Sequence, residues 1–193
     1  MSRVVRRAVG LAVGALVGGA MLEAAVSDRA ERLRAAGRLG AISGSIVVRA
    51  PIERVWDELA DIPGQVRWMA ELKAVRIETP GPFRVGTRAV GLVRIFGIPV
   101  WDPVEVVAWQ PPHRFAIRHT GLFRGGGVIE LEPVAADGDG GPSTVVRWDE
   151  SLRPPLFPLL GELIGRPILS RIFHADLETF ARLVEGGDAS ATN

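Results

Sequence analysis

The 193-residue chain carries 23 basic and 22 acidic residues, a formal net charge of +1, so no net field steers it to nucleic acid. With 47% hydrophobic and 23% charged residues it has the balance of a packed protein, not a disordered one. It has no cysteine, which excludes disulfides, thiol nucleophiles and cysteine-held zinc or iron–sulfur centres, and its length suits one domain with a modest extension.

The chain opens with Arg3, Arg6 and Arg7, followed by Ala8 to Leu22, an uncharged and mostly apolar run. That order is the pattern of an export or anchoring signal. As a helix the run rises about 22 Å, short of a ~30 Å hydrocarbon core, and Val4, Val5 and snorkelling arginines extend it. No good cleavage site follows, so the reading is a retained transmembrane segment rather than a removed signal or a helix packed on its own domain. Gly10, Gly14 and Gly18 recur every four residues and would form a glycine stripe for helix–helix self-association. Arg29, Arg32, Arg34 and Arg38 on the far side leave the orientation undecided, and the expected localisation is membrane-associated with the side unassigned. Ser27 and Asp28 can cap a short polar helix ending at Gly37. Residues 1–40 therefore read as anchor and linker, 41–186 as the domain, and 187–193 as a frayed tail.

Ile42 to Arg49 is a β-branched strand stopped by Ala50-Pro51. Pro51 opens an amphipathic helix with Ile52, Val55, Trp56 and Leu59 on one face, and Pro63-Gly64 ends it. A second short helix spans Gln65 to Met69. Six stretches of strand length follow: Lys73 to Thr79, Thr87 to Phe96, Ile98 to Trp109, Arg114 to Thr120, Gly127 to Val134 and Thr144 to Leu152. Short breaker-rich turns separate them, which implies hairpins and an antiparallel sheet. After the proline-punctuated PPLFPLLGELIGRP comes a continuous helix to about Glu185, with Leu169, Ile172, Phe173, Leu177, Phe180 and Val184 on its buried side. Lys73 is the only lysine, and heavy Arg, Ala, Gly and Val use points to a GC-rich bacterial genome.

This order resembles the START-like superfamily, also called SRPBCC or polyketide cyclase/dehydrase-like. The likeness is carried by IVVRAPIERVWDELADIPGQVRWM, by the turn Gln110-Pro111-Pro112-His113-Arg114, and by GVIELEPV leading into TVVRWDE. It spans about residues 42 to 185. The resemblance implies an α+β helix-grip fold: a curved antiparallel sheet of about seven strands wrapped around a long C-terminal helix, with two short helices after strand one. It also implies a pocket between sheet and last helix for sterols, lipids, polyketides or other bulky apolar ligands, and no particular chemistry.

Strand alternation assigns faces once arginines and most carboxylates are placed on the wet side. The expected ligand-contacting residues are Trp68, Val93, Ile95, Val104, Phe115, Ile117, His119, Ile129, Trp148, Glu150 and Ile172. Three ionisable residues turn inward, Asp102, His119 and Glu150, and these are the candidates for pocket chemistry. Counting back from the hairpins puts His119 and Glu150 two strands apart and out of step, with about 10 to 14 Å between backbones. A tight dyad is therefore not expected, and the plainer expectation is solvation at strand ends near the mouth or pairing with Arg124 or Arg153. Trp101, Trp109 and Trp148 are expected in the core, with ligand stacking as the alternative. His174 and Asp176 are wrongly spaced for metal ligation, so no metal is expected. No cofactor is expected either, because Gly125-Gly126-Gly127 precedes a strand, not a helix.

Function reads as a membrane-tethered carrier or sensor of a lipid-like or polyketide-like molecule, with a polyketide cyclase or dehydratase using a pocket His or carboxylate as the alternative. An assembly factor with an occluded pocket is a third reading.

Overall fold

A β-branched segment between Gly40 and Pro51 forms the first edge strand, and the rest of the domain is built on it. The computed structural model describes residues 10–23, 40–95, 97–135, 141–153 and 158–188. Residues 10–23 form helix α1. The order is then β1 (Ile42–Val48), α2 (Ile52–Ala60), a 3₁₀ turn (Pro63–Arg67), β2 (Leu72–Ile77), β3 (Arg88–Ile95), β4 (Ile98–Gln110), β5 (Arg114–His119), β6 (Arg124–Val134), β7 (Ser143–Arg153) and α3 (Pro158–Asp188). The strands make one seven-stranded sheet in the order β1-β7-β6-β5-β4-β3-β2, every pair antiparallel. From β2 to β7 each strand pairs with its sequence neighbour, as short turns require, and only β1 reaches its partner, β7, from the far end of the domain. With the C-terminal helix packed against the sheet, this is the helix-grip fold.

Pro51 caps α2 in an extended conformation, its missing N–H costing nothing there. Ile52, Val55, Trp56 and Leu59 of α2 are buried at helical spacing. On α3 the buried stripe is Leu177, Phe180, Ala181 and Val184. Gly44 of β1 lets that helix approach: a Cβ there would stand 2.8 Å from Leu177 Cδ1, below any normal contact. The aromatic core divides in two. Trp56, Phe83 and Phe115 surround Trp109 with ring centroids 5.1, 5.3 and 5.5 Å away. Trp68 meets Phe180 and Trp148 edge-on at 5.0 and 6.1 Å.

Several expectations are corrected. The second short helix is a 3₁₀ turn that begins at Pro63, not Gln65, held by the Gln65 amide donating to the Leu59 carbonyl at 3.0 Å. β6 starts at Arg124, so the triple glycine lies within a strand and pairs with β5 and β7 throughout. α3 begins at Pro158 and continues through Pro167, and it runs past Gly186 to Asp188. Trp101 is 57% exposed rather than core. Of the expected apolar segment only residues 10–22 are described, and among the described residues no helix is long and apolar enough to cross a membrane. The expected polar helix after Ser27 and the tail beyond Asp188 lie outside the described residues.

Candidate functional site

Between the concave sheet face and α3 lies a cavity of about 190 Å³. Its walls come from nearly every layer of the domain: Met69 from the loop after the 3₁₀ turn, Val93, Val104, Phe115, Ile117, Ile129 and Trp148 from the sheet, Phe123 from the β5–β6 turn, and Leu169 and Phe173 from α3. Trp148 and Phe173 stack with centroids 4.5 Å apart, so sheet and helix meet through near-parallel rings at the cavity wall. The ionisable groups of the lining fall into two sets.

The first set joins Asp102 of β4, His119 of β5 and Glu150 of β7, all less than 9% exposed. His119 Nδ1 lies 2.7 Å from Asp102 Oδ2, and its Nε2 lies 2.9 Å from Glu150 Oε1. The Trp148 indole N–H donates to the other Glu150 oxygen at 3.1 Å. Burial opposes a charge on the ring, but the two carboxylate hydrogen bonds and the attraction behind them prevail and push His119 up to about 9. At neutral pH the ring is therefore protonated and donates from both nitrogens, one to each acidic side chain, so that two acidic groups share a single cation. Among the described residues, Asp102 Oδ1 is buried and accepts no hydrogen bond.

This overturns the expectation that His119 and Glu150 stand apart at a solvated mouth. His119 pairs with Gly125 of β6 and Glu150 with Gly127, so the backbones are indeed two strands apart and two residues out of step. Glycine on the strand between them resolves the geometry. Gly127 faces the cavity without a side chain, and a Cβ there would lie 2.3 Å from Glu150 Oε2, so the carboxylate occupies the space that any other residue would fill. Gly125 adopts φ +128°, with its Cα against the Ser151 carbonyl where no Cβ fits. The triple glycine is thus a trough across which a histidine and a glutamate meet.

The second set is Asp176 of α3 with Glu71. Asp176 is 3% exposed and accepts the Ala70 backbone N–H at 2.9 Å, tying α3 to the loop before β2. Burial pushes its carboxyl up to about 6, against the lowering effect of the Ala70 bond and with a small push from Glu71. Sequence reasoning considers Asp176 only as a metal ligand and misses this role. Its signal is nonetheless available, since Asp176, Phe180 and Val184 are spaced by four on the buried stripe.

Of the other expected contact residues, Trp68 is 2% exposed but belongs to the core behind Trp148, and Ile172 is half-buried outside the lining. Ile95 ends β3 opposite Ile98, and its side chain lies outside the described residues. Among the described residues no group of three or more His, Cys, Asp or Glu is placed to hold a metal ion. In the Asp102–His119–Glu150 row the imidazole separates the carboxylates, so their oxygens do not converge on one point.

An antiparallel sheet gripping a helix over an apolar cavity defines a ligand-binding domain of the START-like class. The chain belongs to the polyketide cyclase / dehydrase and lipid transport family, whose profile matches residues 40–185. It is 27% identical over 128 residues to the uncharacterized protein Rv1546 of Mycobacterium tuberculosis, covering 66% of this chain and 87% of that one. Solved structures share the fold, among them TTHA0849 from Thermus thermophilus, with TM-score 0.60 and 18% identity over 79% of this chain and 99% of that one. A START superfamily protein from Mycobacterium smegmatis is similar over the same shares at TM-score 0.58 and 18% identity. DR_A0006 from Deinococcus radiodurans is similar at TM-score 0.55 and 23% identity, covering 76% of this chain and 98% of that one.

Proposed function

We propose that this protein is a carrier or sensor that holds one small, ring-bearing apolar molecule in the cavity, at a membrane that α1 contacts. The observation that carries the reading is the cavity: about 190 Å³, walled mainly by aliphatic and aromatic side chains, with its ionisable groups confined to two places. An apolar cavity of about 150 Å³ takes up benzene, and drug-sized sites begin near 300 Å³. A molecule of one or two rings, of polyketide-like character, therefore fits the cavity as it stands.

The cyclase or dehydratase alternative, if it runs through His119, needs a ring nitrogen free to take a proton, and both are committed to acidic side chains. That disfavours proton transfer by this histidine. Support for the membrane contact comes from α1, where Leu11, Leu16, Val17 and Met21 are all about half or more exposed. Arg3, Arg6 and Arg7 precede it in the sequence and suit anionic headgroups. The faces of Gly10, Gly14 and Gly18 are open, which suits a second copy of the helix.

Native mass spectrometry of the full chain purified from cells, followed by organic extraction, tests the ligand reading. A bound apolar ring compound is the expected result, and an empty, folded protein that takes up no aromatic probe would overturn it. Flotation with vesicles containing anionic lipid tests the tether: the full chain floats and a chain lacking residues 1–39 does not, whereas equal behaviour of the two would remove the membrane from the reading.

A further inference from the structure

We infer that the cavity selects an uncharged ring compound whose polar end donates a hydrogen bond, and that it excludes carboxylates. This rests on the binding reading above and specifies its ligand.

Charge is the first ground. Among the described residues, the ionisable side chains of the lining are Glu71, Asp102, His119, Glu150 and Asp176, with no arginine or lysine. The one cation in that set, His119, is already shared between two carboxylates. An anionic ligand entering here loses its water, finds no free counter-charge and meets a corner in which two acidic side chains already share the one cation. Fatty acids and aromatic acids are therefore excluded, although their apolar bodies match the walls.

Hydrogen-bond inventory is the second. Both His119 nitrogens, Asp102 Oδ2 and both Glu150 oxygens have partners, and of this group Asp102 Oδ1 alone has none although it is buried. A buried carboxylate oxygen without a donor is unfavourable, and it gains a charge-assisted hydrogen bond from any hydroxyl brought to it. No donor of this corner remains free, so a ligand offering only acceptors, such as an ether or ketone, gains nothing there. The aromatic walls, above all the stacked Trp148 and Phe173, match a flat ring behind that hydroxyl.

A matched panel decides the question: 2-naphthol, 2-methoxynaphthalene and 2-naphthoate, titrated into the full-length protein at pH 7 by calorimetry. These share a ring system and differ in having a donor, an acceptor only, or a negative charge. 2-Naphthol is expected to bind at least about tenfold tighter than its methyl ether, the worth of one hydrogen bond to a charged acceptor, and 2-naphthoate not to bind measurably. In Asp102→Asn the preference for naphthol over the ether shrinks and naphthoate binding becomes measurable. If the wild-type protein binds the ether or the naphthoate as tightly as naphthol, the selectivity inference fails while the cavity remains a binding site. If it binds none of the three, the binding reading fails and the inference falls with it. The wild-type panel decides without the variant should Asp102→Asn not fold.

Discussion

Raising the pH should destabilise this domain through His119. A histidine whose folded pKa is raised contributes stability that is complete below its unfolded pKa, near 6.5, and is lost as pH rises through the folded value, about 9. A tenfold change in proton affinity corresponds to about 1.4 kcal/mol, so the loss between pH 6.5 and 9 amounts to about 3 kcal/mol, a large part of the stability of a small domain. The assay is urea unfolding at half-unit pH intervals across that window, with His119→Gln alongside. The wild-type midpoint should fall at constant m-value across the whole window, whereas the variant's fall should be confined to its lower part, where the two uncompensated carboxyl groups lose their protons. Removing the histidine also leaves two buried carboxylates without a cation, at about 3–5 kcal/mol, so the variant is best measured in a stabilising solute. Imidazole nitrogen shifts in the wild-type protein provide a second test that needs no variant: one histidine should stay protonated at both nitrogens at pH 8. Parallel midpoint curves for wild type and variant, or no such histidine signal, would refute the claim that Asp102 and Glu150 hold the ring charged.

Other consequences follow from the same contacts. Gly127→Val should displace the Glu150 carboxylate, return the histidine signal toward an ordinary value and weaken ligand binding, as NMR titration and calorimetry would show. Asp176→Asn keeps the acceptor for the Ala70 N–H while removing a buried charge, so at pH 7.5 it should stabilise the protein by about 1–3 kcal/mol; a lower urea midpoint would contradict the burial argument. Phe180→Ala removes the 1% exposed ring by which α3 packs on Trp68 and should cost about 3–5 kcal/mol by thermal or urea unfolding. By contrast, Trp101→Ala on the exposed outer face should change stability by less than about 0.5 kcal/mol.

Much of this architecture is legible in the sequence because it rests on periods and turns. The alternation that puts Arg118 outside puts His119 inside, and the same rule turns Asp102 and Glu150 toward the cavity. What alternation lacks is lateral reach. Backbone counting places His119 and Glu150 too far apart for contact, which is correct for backbones, but it treats the strand between them as filled. The triple glycine reads as a loop leading into a strand because glycine has poor strand propensity. In the sheet, the absence of side chains is what lets a carboxylate and an imidazole cross that strand. Trp101 fails for the opposite reason: its neighbour Asp102 faces in, so alternation already places it outside, and the general burial of tryptophan wrongly outweighs the local rule. The residues of PPLFPLL before the apolar stripe of α3 carry prolines compatible with either a loop or a helix start, and pattern alone does not place the boundary.

The Asp102–His119–Glu150 row looks like proton-transfer machinery, and its connectivity argues otherwise. A catalytic histidine keeps one nitrogen on an orienting carboxylate and leaves the other for the reacting proton. Here the second nitrogen meets a second carboxylate, which the Trp148 indole holds in place. With the ring titrating near 9, only about one molecule in a hundred carries a neutral imidazole at pH 7, and reaching it breaks a charge-assisted bond in a buried site. The row is better suited to staying fixed than to cycling. It leaves Asp102 Oδ1 without a donor beside an apolar cavity, an unfavourable arrangement that an uncharged ligand able to donate there would relieve.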